Sequence, residues 1–123
     1  MKRSLAVLWC SCLLAFLGAG CGSSGPPAPL ALDQIPAAIT KAFATAKSEH
    51  RELADRAVSA LQGKDTVKAL LVIQGLCGVP ELTKDQRAVA TRAVLALNEE
   101  LRAAAARGDK DAAQFLRMRQ ANK

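Results

Sequence analysis

The chain has 123 residues and a formal net charge of +6; half of its residues are hydrophobic and only 3% are aromatic. Bases and sugar rings are usually held on aromatic platforms, so this composition argues against binding nucleic acid or carbohydrate. The length suits one domain with a modest core.

Lys2 and Arg3 precede an apolar run from Leu5 to Leu17, which closes on Gly18, Ala19, Gly20 and Cys21. The run is short of the roughly 17 to 25 residues that a helix needs to cross a bilayer, and it reads as the apolar centre of a cleaved secretory signal. Gly18, Ala19, Gly20 and Cys21, preceded by Leu17, resemble the lipobox of bacterial lipoprotein precursors. The commonest lipobox has Leu three positions before the cysteine; here Gly18 stands there and Leu17 lies one step earlier. The resemblance implies that residues 1–20 are removed as a signal peptide, and that Cys21 carries a diacylglyceryl group on sulfur and a third acyl chain on its new amine. At about 0.8 kcal/mol per buried methylene, such an anchor would be permanent on a cellular timescale. Gly22, Ser23 and Ser24 follow where the family's inner-membrane retention signal would have aspartate. The implied address is the cell envelope, on the outer membrane facing the periplasm.

Residues 21–32 read as the lipidated cysteine and a flexible tether, because Ser23 to Pro29 is rich in Gly, Ser and Pro, a composition that stays extended and hydrated with nothing to bury. Residues 33–123 read as an all-α domain, a small bundle of four to five helices arranged as antiparallel hairpins, with a thin core of Leu, Val and Ala. Alanine is abundant and favours helix, and no segment has the alternation of an amphipathic strand.

Asp33 can cap a first helix with Pro36 in its first turn, where a missing amide proton is harmless. Ile35, Ile39, Phe43 and Ala46 give that helix one apolar face. Ser48 is a candidate cap for a second helix, lined by Leu53, Ala57, Val58 and Leu61, although the sequence leaves open whether the chain breaks at Lys47 to Glu49. Gly63 is the expected left-handed stop, and Asp65 or Thr66 the next cap. The third helix, carrying Val67, Leu70, Leu71, Ile73 and Leu76, is apolar nearly all round and is expected to be central. Gly78 and Pro80 end it. Thr83 and Gln86 form a capping box for a long fourth helix with Val89, Ala93, Val94, Leu97 and Leu101 along its seam. Gly108 stops that helix near Arg107, Asp109 or Asp111 starts a short fifth one, and Ala112, Phe115 and Leu116 pack back.

The stretch from Gly63 through Ala69, Leu70, Ile73 and Leu76 to Pro80 resembles the second half of a tetratricopeptide repeat, in which small and large residues interlock antiparallel helices. The aromatics of that family are missing. A fainter internal echo sets Gly63, Val67 and Leu70 against Gly108, Ala112 and Phe115.

Chemistry is sparse. Cys10 and Cys12 fall in the leader and Cys21 is assigned to lipid, which leaves Cys77 with no partner for a disulfide and no thiolate cluster for zinc. His50 is the only histidine, and no nucleophile or orienting acid is spaced around it. Glu99 and Glu100 diverge by about 100° on a helix and do not pair. Neither an enzyme nor a cofactor or metal site is expected. Charge is balanced from Gly22 to Glu100, with nine basic and nine acidic residues, and the excess follows: Arg102, Arg107, Lys110, Arg117, Arg119 and Lys123 against Asp109 and Asp111. These six basic residues are a candidate contact surface for an anionic lipid or cell-wall polymer.

The expected role is a non-enzymatic, lipid-anchored module whose groove between the third and fourth helices takes a helix or peptide, from a protein partner or from a second copy. An alternative is a structural tether between membrane and peptidoglycan. The acylated cysteine, Ala-rich helices and terminal Lys123 resemble the murein lipoprotein, in which the last lysine is joined to the cell wall. The long unbroken heptads of that family are interrupted here by Gly63, Gly78, Pro80 and Gly108.

Overall fold

The computed structural model describes residues 25–123; the leader, the cleavage boundary and Cys21 lie outside the described residues. The described chain is all-helical. A 3-10 turn, Leu32–Gln34, leads into α1 (Ile35–Phe43), α2 (Ser48–Gln62), α3 (Thr66–Cys77), α4 (Lys84–Ala106) and α5 (Lys110–Ala121). The helices α2, α3 and α4 pack as successive neighbours; α1 closes across α2 and α4, and α5 folds back on α4.

Ile35, Ile39 and Phe43, spaced by a helical turn, are the buried face of α1. They belong to one core with Leu70, Ile73 and Leu76 of α3 and Leu97 of α4. The inner ridge of α2 is Ala54, Ala57 and Ala60, while Leu53, Val58 and Leu61 flank it half-buried. Alanine occupies the line of closest approach because it lets two helix backbones come together, and the larger side chains fill the sides. The same logic puts Ala90, Ala93 and Ala96 on the buried side of α4.

The long fourth helix is the hub, since it packs against α1, α3 and α5. The third helix is nonetheless central, as expected, and a smaller share of it is exposed than of α4. It lies between α2 and α4, but its outer side is open, with Leu71 53% exposed and Gly75 meeting nothing within 4 Å of where a Cβ would stand. High average hydropathy reflected a wide apolar face, not burial all round.

The boundaries bear out part of the capping scheme. The Thr83 hydroxyl accepts the Gln86 amide and the Gln86 side chain accepts the Thr83 amide, a complete capping box. Gln86 Nε2 also donates to the Ala42 carbonyl at 3.2 Å, which fastens the start of α4 to the end of α1. Asp65 caps α3 through the Lys68 amide, and Asp109 caps α5 through the amides of Asp111 and Ala112. Neither Asp33 nor Ser48 acts as a cap. Asp33 is taken up in the 3-10 turn, which makes the entry to α1 by backbone geometry, and Ser48 is the first residue of α2 rather than its flank. The chain does break before α2, in the turn from Ala44 to Lys47.

The left-handed residue after α2 is Lys64, with φ of 58°, and not Gly63, with φ of −77°. Lys64 donates to the Leu61 carbonyl and Asp65 to the Ala60 carbonyl, the paired bonds of a Schellman turn. Gly108, with φ of 95°, occupies the same place after α4, with Gly108 bonded to Ala105 and Asp109 to Ala104. The two turns match residue for residue at a spacing of 44 (Lys64 with Gly108, Asp65 with Asp109), one less than the spacing of the apolar pairs Val67 with Ala112 and Leu70 with Phe115.

Ahead of the 3-10 turn, the last part of the segment 21–32 is attached to the bundle. Arg92 Nε donates to the Ala28 carbonyl at 2.8 Å, the Leu30 amide donates to the Arg92 carbonyl at 3.3 Å, and Leu30 packs against the core.

Candidate functional site

The antiparallel order brings the α2–α3 turn and the α4–α5 turn to one end of the bundle, beside the start of α1. Between them lies an open cleft of about 780 Å³. Its floor is apolar, formed by Pro36, Leu61, Val67, Leu97, Leu101 and Ala104, and Leu32 stands in its wall, 44% exposed. Its rim is charged. Asp33, Asp65, Glu100, Asp109 and Asp111 face Lys64 and Arg107, and Arg107 is already paired with Glu100 at 2.8 Å. Two of the carboxylates, Asp65 and Asp109, are there because each starts a helix; capping has therefore placed negative charge at the cleft mouth. The cleft opens at one end of the α3–α4 pair, and α1, α2 and α5 share its lining with the two helices between which the sequence suggested a groove.

The six basic residues of the C-terminal region fall into different settings. Arg102 is exposed on the outer ridge of α4. Arg107 is held by Glu100 at the cleft rim. Arg119 turns inward, donates to Asn98 Oδ1 at 2.6 Å and lies over the Phe115 ring, 5.6 Å from its centroid. Lys110 and Arg117, two turns apart, share the outer face of α5, and Lys123 is exposed beyond its end. The sequence counted charge but could not see that Arg119 is spent on locking α5 to α4.

His50 is buried, with 8% exposure, under a smaller cleft of about 200 Å³ lined also by Thr45, Ala46, Lys47, Glu81, Thr83 and Gln86. Its Nε2 is 3.7 Å from a Glu49 carboxylate oxygen. Across the mouth, Lys47 and Glu81 form an exposed ion pair that joins the α1–α2 turn to the α3–α4 turn. Glu81 lies below the usual carboxylate range and Lys47 above the usual lysine range, each chiefly because of their shared hydrogen bond. The Thr83 hydroxyl is engaged as the α4 cap, which leaves it poorly placed as a nucleophile.

Cys77 is half-buried at the end of α3, and burial pushes its thiol above the ordinary value, partly offset by a hydrogen bond with Thr91 and by the charge of Arg87. The Arg87 guanidinium reaches the carbonyls of Cys77, Val79 and Pro80, satisfying acceptors that the helix end leaves open. Among the described residues no group of three or more His, Cys, Asp or Glu is arranged to hold a metal ion, and no helix is long and apolar enough to cross a membrane.

Comparison of the chain with protein-family models, with curated proteins and with solved structures returned no match.

Proposed function

We propose that this chain is an envelope lipoprotein, anchored by acyl chains on Cys21, whose helical bundle is a non-enzymatic module that docks protein. The observation that carries the reading is the cleft at the end of the bundle, an apolar floor ringed by charge. The apolar floor offers contact to an apolar side chain, and the charged ring fixes orientation, the division of labour common to peptide-binding grooves. Partly exposed Leu32 fits this reading, since its burial awaits an occupant.

Two measurements test it. The mass of the mature N-terminal peptide is expected to show Cys21 at the terminus with its acyl chains; an unmodified thiol there removes the anchor. A photo-crosslinking residue placed at Leu32, in the full chain in intact cells, is expected to give one discrete protein adduct. The absence of any adduct, with the same residue at exposed Glu99 as control, would sink the docking reading.

A further inference from the structure

Within a chain that carries an excess of basic residues, the cleft is the region of opposite sign, five carboxylates against Lys64 and the already paired Arg107. Asp33 and Asp111 have no side-chain hydrogen bond or ion pair among the described residues, unlike Asp65 and Asp109, which are engaged in capping. The complement is on the same molecule. The end of α5 exposes Arg117, Met118 and Lys123, and no carboxylate side chain occurs from Arg117 to Lys123. Four large apolar side chains are notably exposed among the described residues; Leu32 is in the cleft and Met118, at 52%, is in this basic segment.

We propose that the cleft receives the basic end of α5 from a second copy of this chain, head to tail. Arg117 and Lys123 of one copy approach Asp33 and Asp111 of the next, and Met118 covers Leu32. The inference rests on the docking reading and names its occupant. Each exposed ion pair contributes little and is screened by salt over about 8–10 Å. The contact is therefore weak in dilute solution and favoured when copies are concentrated on one surface. The surfaces joined are different, so the contact propagates into a ring or a short chain rather than a single symmetric pair.

Sedimentation of the full chain in neutral detergent, across a wide range of concentration, provides the test. The expected result is a mass that rises to twice the monomer or more at low salt and returns to monomer at high salt. The charge-reversed variants Arg117→Glu/Lys123→Glu and Asp33→Lys/Asp111→Lys, each folded by circular dichroism, are expected to stay monomeric alone and to associate when mixed. A monomer at every concentration, or association undiminished in either variant, overturns the proposal. If the chain is monomeric while the Leu32 crosslinker captures a different envelope protein, the occupant named here is wrong and the docking reading stands.

Discussion

Replacing Lys64 by Gly is expected to stabilise the fold, although it deletes a whole side chain. Lys64 sits at the left-handed position of a Schellman turn, with φ of 58°. An L-residue there costs about 1–2 kcal/mol through the contact of its Cβ with the following carbonyl. Glycine removes that cost but returns about 0.4–1 kcal/mol to the unfolded chain as entropy. The net gain is about 0.5–1 kcal/mol, which for a domain of this size raises Tm by about 2–8 °C. Lys64 is also a cation on an acidic rim, and its charge has to be separated from its backbone. The control is Lys64→Gln, which removes the charge and keeps the Cβ. Gly108→Ala is the reciprocal change, because φ of 95° at the matching position offers alanine no relaxed conformation, and it is expected to lower stability by about 1 kcal/mol. Thermal and urea unfolding of the parent and the three variants decide the matter. A Lys64→Gly protein no more stable than Lys64→Gln, or a Gly108→Ala protein as stable as the parent, would refute the reasoning.

Gln86→Ala removes the bond to Ala42 and half of the capping box, and is expected to cost about 1–3 kcal/mol in urea unfolding, more than Thr83→Ala alone. Leu70→Ala opens a cavity at a fully buried site on α3 and is expected to cost about 2–5 kcal/mol, read from the same transition. Because burial raises the Cys77 thiol above the ordinary thiol range, its alkylation by iodoacetamide should be slow near neutrality and reach half its limiting rate at a higher pH than in the unfolded chain. Its contribution to stability is intact below the unfolded-state value and is lost as pH rises through the higher folded-state value; half-maximal alkylation at or below the pH found for the urea-unfolded chain contradicts this. Arg92→Ala removes the bond to the Ala28 carbonyl and is expected to speed hydrogen exchange at the Leu30 amide while leaving the core helices protected; an unchanged Leu30 rate would show that the strap does not depend on the guanidinium.

The elements that the sequence made legible are those whose signals are local. Thr83 with Gln86 could be read as a capping box because both partners lie within one turn, and Asp65, Gly108 and Asp109 belong to the same class. The failures are also local in origin. Glycine is so favoured at a left-handed position that Gly63 outweighed Lys64, yet the helix runs one residue further and the strain falls on lysine. The cleft was not legible, because its floor joins Pro36, Leu61, Val67 and Leu97, residues whose apolar character marks them equally as ordinary core. Only the meeting of two turns and the start of α1 at one end of the bundle separates them from it. Arg119 was misread for a related reason: its partners, Asn98 and Phe115, include one 21 positions away in sequence.

The attachment of Ala28 and Leu30 to Arg92 changes what the proposed anchor can do. Seven residue steps separate Cys21 from Ala28, where the first bond to the bundle is made. Even fully extended, at about 3.3–3.6 Å per residue, they reach only about 25 Å, less than the length of the 23-residue α4, about 35 Å. On the proposed anchoring, a bundle so held would not range far from the bilayer, and docking at its cleft would select partners at the same surface, a second copy among them. The strap also ends within two residues of Leu32, which walls the cleft. A pull on the lipid would load the bond of the Ala28 carbonyl with Arg92 first, then the pairing of Leu30 with Arg92 and the 3-10 turn, before any helix, and the strain would run toward the cleft wall.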